Sequence, residues 1–129
     1  MTNPAIPGEA QPLPVVLMVD DDLELLEEYR ELLECDGICA AICDDPYRAL
    51  SIVRDTPSIS FVLTDLRMDG LNGAELIDQM RSEFASRSLR FALVTGATEV
   101  RQNLCGPDVD IIYKPVSGED LVALIGSRR

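Results

Sequence analysis

Histidine is absent from these 129 residues, and lysine occurs once, as Lys114. The first absence removes imidazole as a general base, as a metal ligand and as a phosphohistidine within this chain. The second means that any chemistry needing an ammonium group must use Lys114. No apolar run approaches the roughly 20 residues that span a bilayer, so no membrane segment is expected. The N-terminus, MTNPAIPGEAQPLP, has neither a basic region nor an apolar core and is not a secretory signal. It reads as a flexible Pro-rich lead-in over residues 1–14, ahead of a single domain over 15–126 and a short tail over 127–129. The expected compartment is the cytoplasm. Basic residues are scarce, 11 against 23 acidic ones, and a net charge of −12 excludes a nucleic-acid surface built on clustered Lys and Arg. It suits a basic partner or a bound cation instead. Among the four cysteines there is no CxxC pair, so Cys35, Cys39 and Cys43 are expected to be reduced, packed thiols.

What the chain does have is an alternation of short apolar runs with amphipathic stretches. Val15–Val19, Ile38–Cys43, Phe61–Thr64, Phe91–Val94 and Asp110–Tyr113 read as strands. The periodicity predicts helices over Leu23–Glu34, Pro46–Arg54, Ala74–Phe84 and Gly118–Ile125. In the first, Leu25, Leu26, Tyr29, Leu32 and Leu33 form one stripe, with glutamates largely opposite. Asp22 and Asp45 stand where N-caps belong, Gly37 where the first helix should stop, and Ser117 with Asp120 where a capping box would open the last helix. The segment between Thr95 and Lys114 is poorly marked. Strands alternating with helices imply a doubly wound α/β fold, a five-stranded parallel sheet with helices on both faces.

In such a sheet, ligands bind outside the carboxyl ends of the strands. The residues at those ends are Asp20 and Asp21, Asp65, Thr95 and Lys114. Crowded carboxylates repel one another and are costly near a core. A divalent ion relieves that cost, and hard oxygen donors without Cys or His select Mg²⁺ or Mn²⁺. The arrangement suits phosphoryl transfer with an aspartate as nucleophile, Thr95 and Lys114 meeting the phosphoryl oxygens. Taken singly, Thr95 is an ordinary strand-end hydroxyl and Lys114 a surface charge; their meaning comes from being placed together. Asp22 is read as a simple cap.

Four motifs in order, VDDD at 19–22, LTD at 63–65, VTG at 94–96 and YKP at 113–115, each close an apolar run. In this the chain resembles the response-regulator receiver domain of two-component signalling, with its flavodoxin-like (βα)5 fold. The resemblance implies that Asp65 is the phosphoacceptor. It implies that Asp20 and Asp21 hold Mg²⁺ with Asp65 and the backbone carbonyl of Arg67. Thr95 becomes the switch hydroxyl, Lys114 the phosphoryl-pairing lysine, and the Lys114–Pro115 bond cis. The implied partners are a sensor histidine kinase or phosphotransfer protein, and a downstream protein or output domain; a homodimer is also compatible. No catalytic turnover is implied.

Three positions depart from the family pattern. Met68-Asp69 stands where Met-Pro is usual, adding an acid beside the site. Ile111 stands where an aromatic switch residue is usual, although Tyr113 shares its strand face. The interval from Thr95 to Lys114 is about one helical turn short. These departures motivate a rival expectation, a degenerate receiver that binds partners without being phosphorylated. A haloacid-dehalogenase-type phosphatase would need a second acid two residues after its nucleophile, where Asp65 is followed by Leu66 and Arg67. Nucleotide binding lacks its glycine motifs.

Overall fold

A computed structural model describes residues 13–96, 106 and 108–126. The order along the chain is β1 (Val16–Val19), α1 (Leu23–Cys35), β2 (Ala40–Cys43), α2 (Pro46–Asp55), β3 (Phe61–Asp65), α3 (Gly73–Glu83), β4 (Arg90–Thr95), β5 (Val109–Tyr113) and α4 (Gly118–Gly126). The five strands form one parallel sheet in the order β2-β1-β3-β4-β5. Parallel neighbours need crossovers, and right-handed crossovers that reverse direction after β2 put helices on both faces. One face carries α2 and α3, packed through Ala49, Val53, Leu76, Ile77 and Met80. The other carries α1 and α4, packed through Leu26, Tyr29, Leu33, Leu121 and Ile125. The central strands β1 and β3 are buried along their whole length, which explains their uninterrupted apolar character.

The caps fall where the sequence puts them. Asp22 accepts from the backbone N–H of Leu25, and Asp45 from that of Tyr47. Gly37 follows α1 at φ +79, and Ser117 Oγ accepts from the Asp120 N–H at the start of α4. The Lys114–Pro115 bond is cis. Within α1 the stripe narrows: Leu26, Tyr29 and Leu33 are buried, whereas Leu32 is 43% exposed. Positions 26, 29 and 33 follow the i, i+3, i+7 spacing toward the sheet, and Leu32 lies at the edge of that stripe beside Gly118 of α4. The stripe contributes about 1.5–3 kcal/mol for each fully buried large apolar side chain. At the far end of the sheet, Arg87 donates to the carbonyls of Val53, Thr56 and Ile59 at 2.5, 3.2 and 2.8 Å. Its guanidinium thereby satisfies carbonyls at the end of α2 and in the turn that leads to β3.

The third helix differs from expectation at its start. The loop DGLNG ends one residue earlier than predicted, because Asn72 and Glu75 form a reciprocal capping box and Gly73 is already helical. Residues 1–12 of the lead-in, most of the short fourth-helix interval (97–105 and 107) and the tail 127–129 lie outside the described residues.

Gly73 is fixed by space rather than by φ. A Cβ placed there would collide with the carbonyl oxygen of Asp65 and lie 2.8 Å from Leu93 Cδ1. Gly118 is a useful contrast, since its Cβ would meet the mobile end of Leu32 at 3.1 Å. Gly73→Ala is therefore expected to lower stability by about 1–3 kcal/mol in urea unfolding, and Gly118→Ala by less than about 1 kcal/mol. Equal costs would show that the Asp65 carbonyl is not the constraint.

Candidate functional site

The site is built by strand register. Val19 pairs with Thr64, so the next residues, Asp20 and Asp65, emerge side by side from adjacent parallel strands. Thr64 pairs with Leu93 and Asp65 with Val94, which brings Thr95 to the neighbouring strand end. Thr95 in turn pairs with Tyr113, and the Lys114 N–H donates to the Thr95 carbonyl at 2.9 Å. All the residues expected at the strand ends therefore share one edge, at the point where the winding reverses between β1 and β3.

Their environments differ. Asp20, Asp65 and Thr95 are buried, whereas Asp21 is exposed. Lys114 Nζ lies 3.0 Å from Asp65 Oδ1 and 3.4 Å from Asp20 Oδ2. Asp20 Oδ1 also accepts from the Asp22 N–H at 2.9 Å, locking the turn that leads into α1. One oxygen each from Asp20, Asp21 and Asp65 lie within 4.8 Å of one another. Arg67 lies in the loop after β3, where it lines an open cavity of about 680 Å³ with Asp21, Met68, Asp69 and Asn72.

The charges are out of balance. Burial pushes the Asp65 carboxyl above the usual range; the hydrogen bond and charge of Lys114 oppose this, and the Asp21 charge adds to it. Asp21 is also raised, by desolvation first, then by Asp20 and by the unusual Asp69. For Lys114, burial alone would lower the pKa, but the hydrogen bond to Asp65 and the charges of Asp20 and Asp65 outweigh it and raise it. One ammonium thus serves more negative charge than it neutralises.

Of the family departures, Ile111 packs partly buried against the α2/α3 core, and Tyr113, on the same strand face, is 45% exposed. Sequence reading missed Gly73, whose lack of a Cβ lets α3 start against the Asp65 carbonyl. The available signal was Asn72-Gly73 followed by Glu75, a capping box with a small residue at its first helical position.

A raised folded pKa means that the folded state binds the proton more tightly. The stability from Asp65 is then present below the ordinary value of 3.8 and lost as pH rises through its folded pKa. In metal-free buffer at neutral pH, Asp65→Asn is expected to unfold at higher urea than the native protein. The gap should close as the pH falls toward 3.8. A less stable Asp65→Asn at neutral pH would mean that Lys114 outweighs burial.

Comparison with known proteins agrees with this fold. The sequence profile described as "Response regulator receiver domain" matches residues 16–126. Among curated relatives, the DNA-binding response regulator MtrA of Mycobacterium tuberculosis is 30% identical over 113 residues, covering 88% of this chain and 49% of its own length. The C4-dicarboxylate transport transcriptional regulatory protein DctD of Pseudomonas aeruginosa is 33% identical, covering 93% of this chain and 26% of its own length. The chain thus spans half or less of these relatives. A response regulator receiver protein from Pseudomonas putida superposes with a TM-score of 0.78 at 31% identity, over 92% of this chain and 99% of the other. A CheY-like receiver domain from Methylobacillus flagellatus gives 0.79 at 24% identity, over 92% and 100%, a likeness of fold alone. Since the profile begins at the first residue of β1 and ends at the last of α4, the whole sheet and both helical layers belong to the response regulator receiver domain family.

Proposed function

We propose that this receiver accepts a phosphoryl group on Asp65 from the phosphohistidine of a separate histidine kinase or phosphotransfer protein. The observation that carries the reading is Asp65 itself, a buried carboxylate held 3.0 Å from the only lysine of the chain, beside two further acids. The donor histidine lies outside these 129 residues, which contain none. A carboxylate oxygen of Asp65 attacks phosphorus and forms the new P–O bond. The P–N bond breaks, its electron pair stays on the imidazole nitrogen, and that nitrogen takes a proton from solvent. Lys114 pairs with the phosphoryl oxygens as charge moves onto Asp65, and the Thr95 hydroxyl donates to another of them. Both groups sit on adjoining strand ends joined by the Lys114–Thr95 backbone bond, so occupancy at Asp65 biases the β4–β5 edge.

The donor set fits Mg²⁺. All candidate ligands are oxygens, and the mutual limit of 4.8 Å suits an ion with metal–oxygen distances of about 2.1 Å. Asp20, Asp21, Asp65 and the Arg67 carbonyl would hold it, with Mn²⁺ as an alternative. Bound Mg²⁺ supplies the positive charge that Lys114 alone does not. The module takes one phosphoryl group rather than turning over a substrate, and acts in the cytoplasm through protein contacts or a linked output domain. Among the described residues, no helix is long and apolar enough to cross a membrane.

Incubation with acetyl phosphate and Mg²⁺ is expected to add one phosphoryl group by mass spectrometry to the native protein and none to Asp65→Asn. An unlabelled native protein, or equal labelling of the variant, would favour the phosphorylation-independent binding module that Asp69 and Ile111 suggest. Metal binding has its own readout. At a hundredfold excess over Kd, an ion bound only by the folded state stabilises by about 2.7 kcal/mol. The native protein should melt several degrees higher with Mg²⁺, and Asp21→Asn should lose most of that rise. No shift in either would remove the metal from this site.

A further inference from the structure

On the α1/α4 side of the sheet, directly beneath the carboxylates, lies a small internal cavity. Tyr29, Asp20 and Asp65 line it, with Met18, Leu26 and Leu63 among its apolar walls. Tyr29 is 7% exposed, the one residue on the buried face of α1 with a polar tip. Helical side chains lean back toward the N-terminus, which directs a tyrosine two turns into α1 toward the strand ends. Its hydroxyl has no protein hydrogen-bond partner among the described residues. Burial raises its pKa, the Lys114 charge lowers it, and Asp20 and Asp65 raise it again, so the phenol feels three of the charged groups of the site.

A buried hydroxyl without a partner costs about 1–3 kcal/mol. The cavity offers a remedy: about 10 Å³ is open to the centre of a water-sized sphere. One water needs about that much room and between two and four polar partners. Three are available, the Tyr29 hydroxyl and the carboxylates of Asp20 and Asp65. A phenylalanine would fill the same place without an unmet hydroxyl, so the tyrosine has a cost that packing alone does not explain.

We propose that Tyr29 is a positioning residue of the site, its hydroxyl joined through a single trapped water to the carboxylates of Asp20 and Asp65. The water donates its two protons to the carboxylates from below and accepts from the Tyr29 hydroxyl. This braces the two acids from the core side and leaves their outer oxygens for a cation. The bracing rests on the phosphoacceptor reading only where its effect on phosphoryl uptake is concerned; the water site itself does not.

Tyr29→Phe tests it, because the ring and the fold are kept. Crystals of the native protein at a resolution that shows ordered solvent should contain one water within hydrogen-bond distance of the Tyr29 hydroxyl and of Asp20 or Asp65. Tyr29→Phe should lack that water and keep the native urea midpoint or exceed it. Its Mg²⁺ affinity by calorimetry, and its rate of uptake from acetyl phosphate, should fall about threefold to tenfold, the effect expected when one hydrogen bond to a charged group is lost through an intermediary. A dry cavity, a Tyr29 hydroxyl bonded elsewhere, or a variant equal to native in both affinity and rate would each overturn the proposal. If the native protein shows the water and weakened binding in Tyr29→Phe but takes no phosphoryl group, the phosphoacceptor reading fails and the role of Tyr29 stands.

Discussion

The contact on which the site depends is Lys114 Nζ between Asp65 and Asp20, at 3.0 and 3.4 Å. Two carboxylates that are 4% and 7% exposed are costly to bury at a strand end without a cation nearby. Lys114 provides it, and the sheet provides Lys114. The amine reaches Asp65 across β4, which works because the Lys114 backbone is tied to Thr95 and Thr95 closes the strand beside β3. The cation therefore acts as a clasp over three strands that are far apart in sequence. Loss of any one register would leave a buried carboxylate uncompensated.

The loop after β3 is held as tightly from the other side. Leu66 donates its N–H to the Val94 carbonyl and accepts from the Gly73 N–H, both at 2.9 Å. Six residues thus leave and return between two fixed points, with Gly73 packed on the Asp65 carbonyl. Arg67 and Asp69 can face the open cavity because the ends of their loop are fixed. The capping box at Asn72 and Glu75 completes that anchorage by starting α3 at once. Backbone approach, rather than flexibility, is what the glycine supplies here.

Much of this was legible in the residues. Strand ends could be found because each buried run stops at a polar residue, so Asp20, Asp65, Thr95 and Lys114 announced themselves as a set. Asp22 and Asp45 were legible as caps because an N-cap is a local interaction, settled within a few residues. The start of α3 was misplaced by one residue, since glycine carries no helical signal and its reason for being there is a contact with another strand. Leu32 was misjudged for a related reason: periodicity gives the centre of a helical stripe, while its edges depend on how the neighbouring helix sits. Tyr29 was legible only as an apolar position. Its hydroxyl acquires meaning from a cavity shared with Asp20 and Asp65, and a cavity is a property of three packed elements.

The imbalance of charge gives the site its coupling. Asp65 and Asp21 both have raised pKa values, and Asp69 adds to the second, so the arrangement favours a positive charge among the carboxylates. A cation bound among the carboxylates lowers the repulsion that an incoming phosphoryl group would meet. On the proposed reading, a cation that favours the phosphorylated state at equilibrium would itself be bound more tightly by that state, by the same factor. Asp69, where the family usually has proline, adds negative charge on the solvent side alone, since it is exposed and lines the open cavity with Asp21. Its effect should then be felt in the affinity for the cation and be screened by salt, while the buried Asp20–Lys114–Asp65 contact keeps its strength. Salt dependence of cation binding thus separates the outer acids from the inner ones.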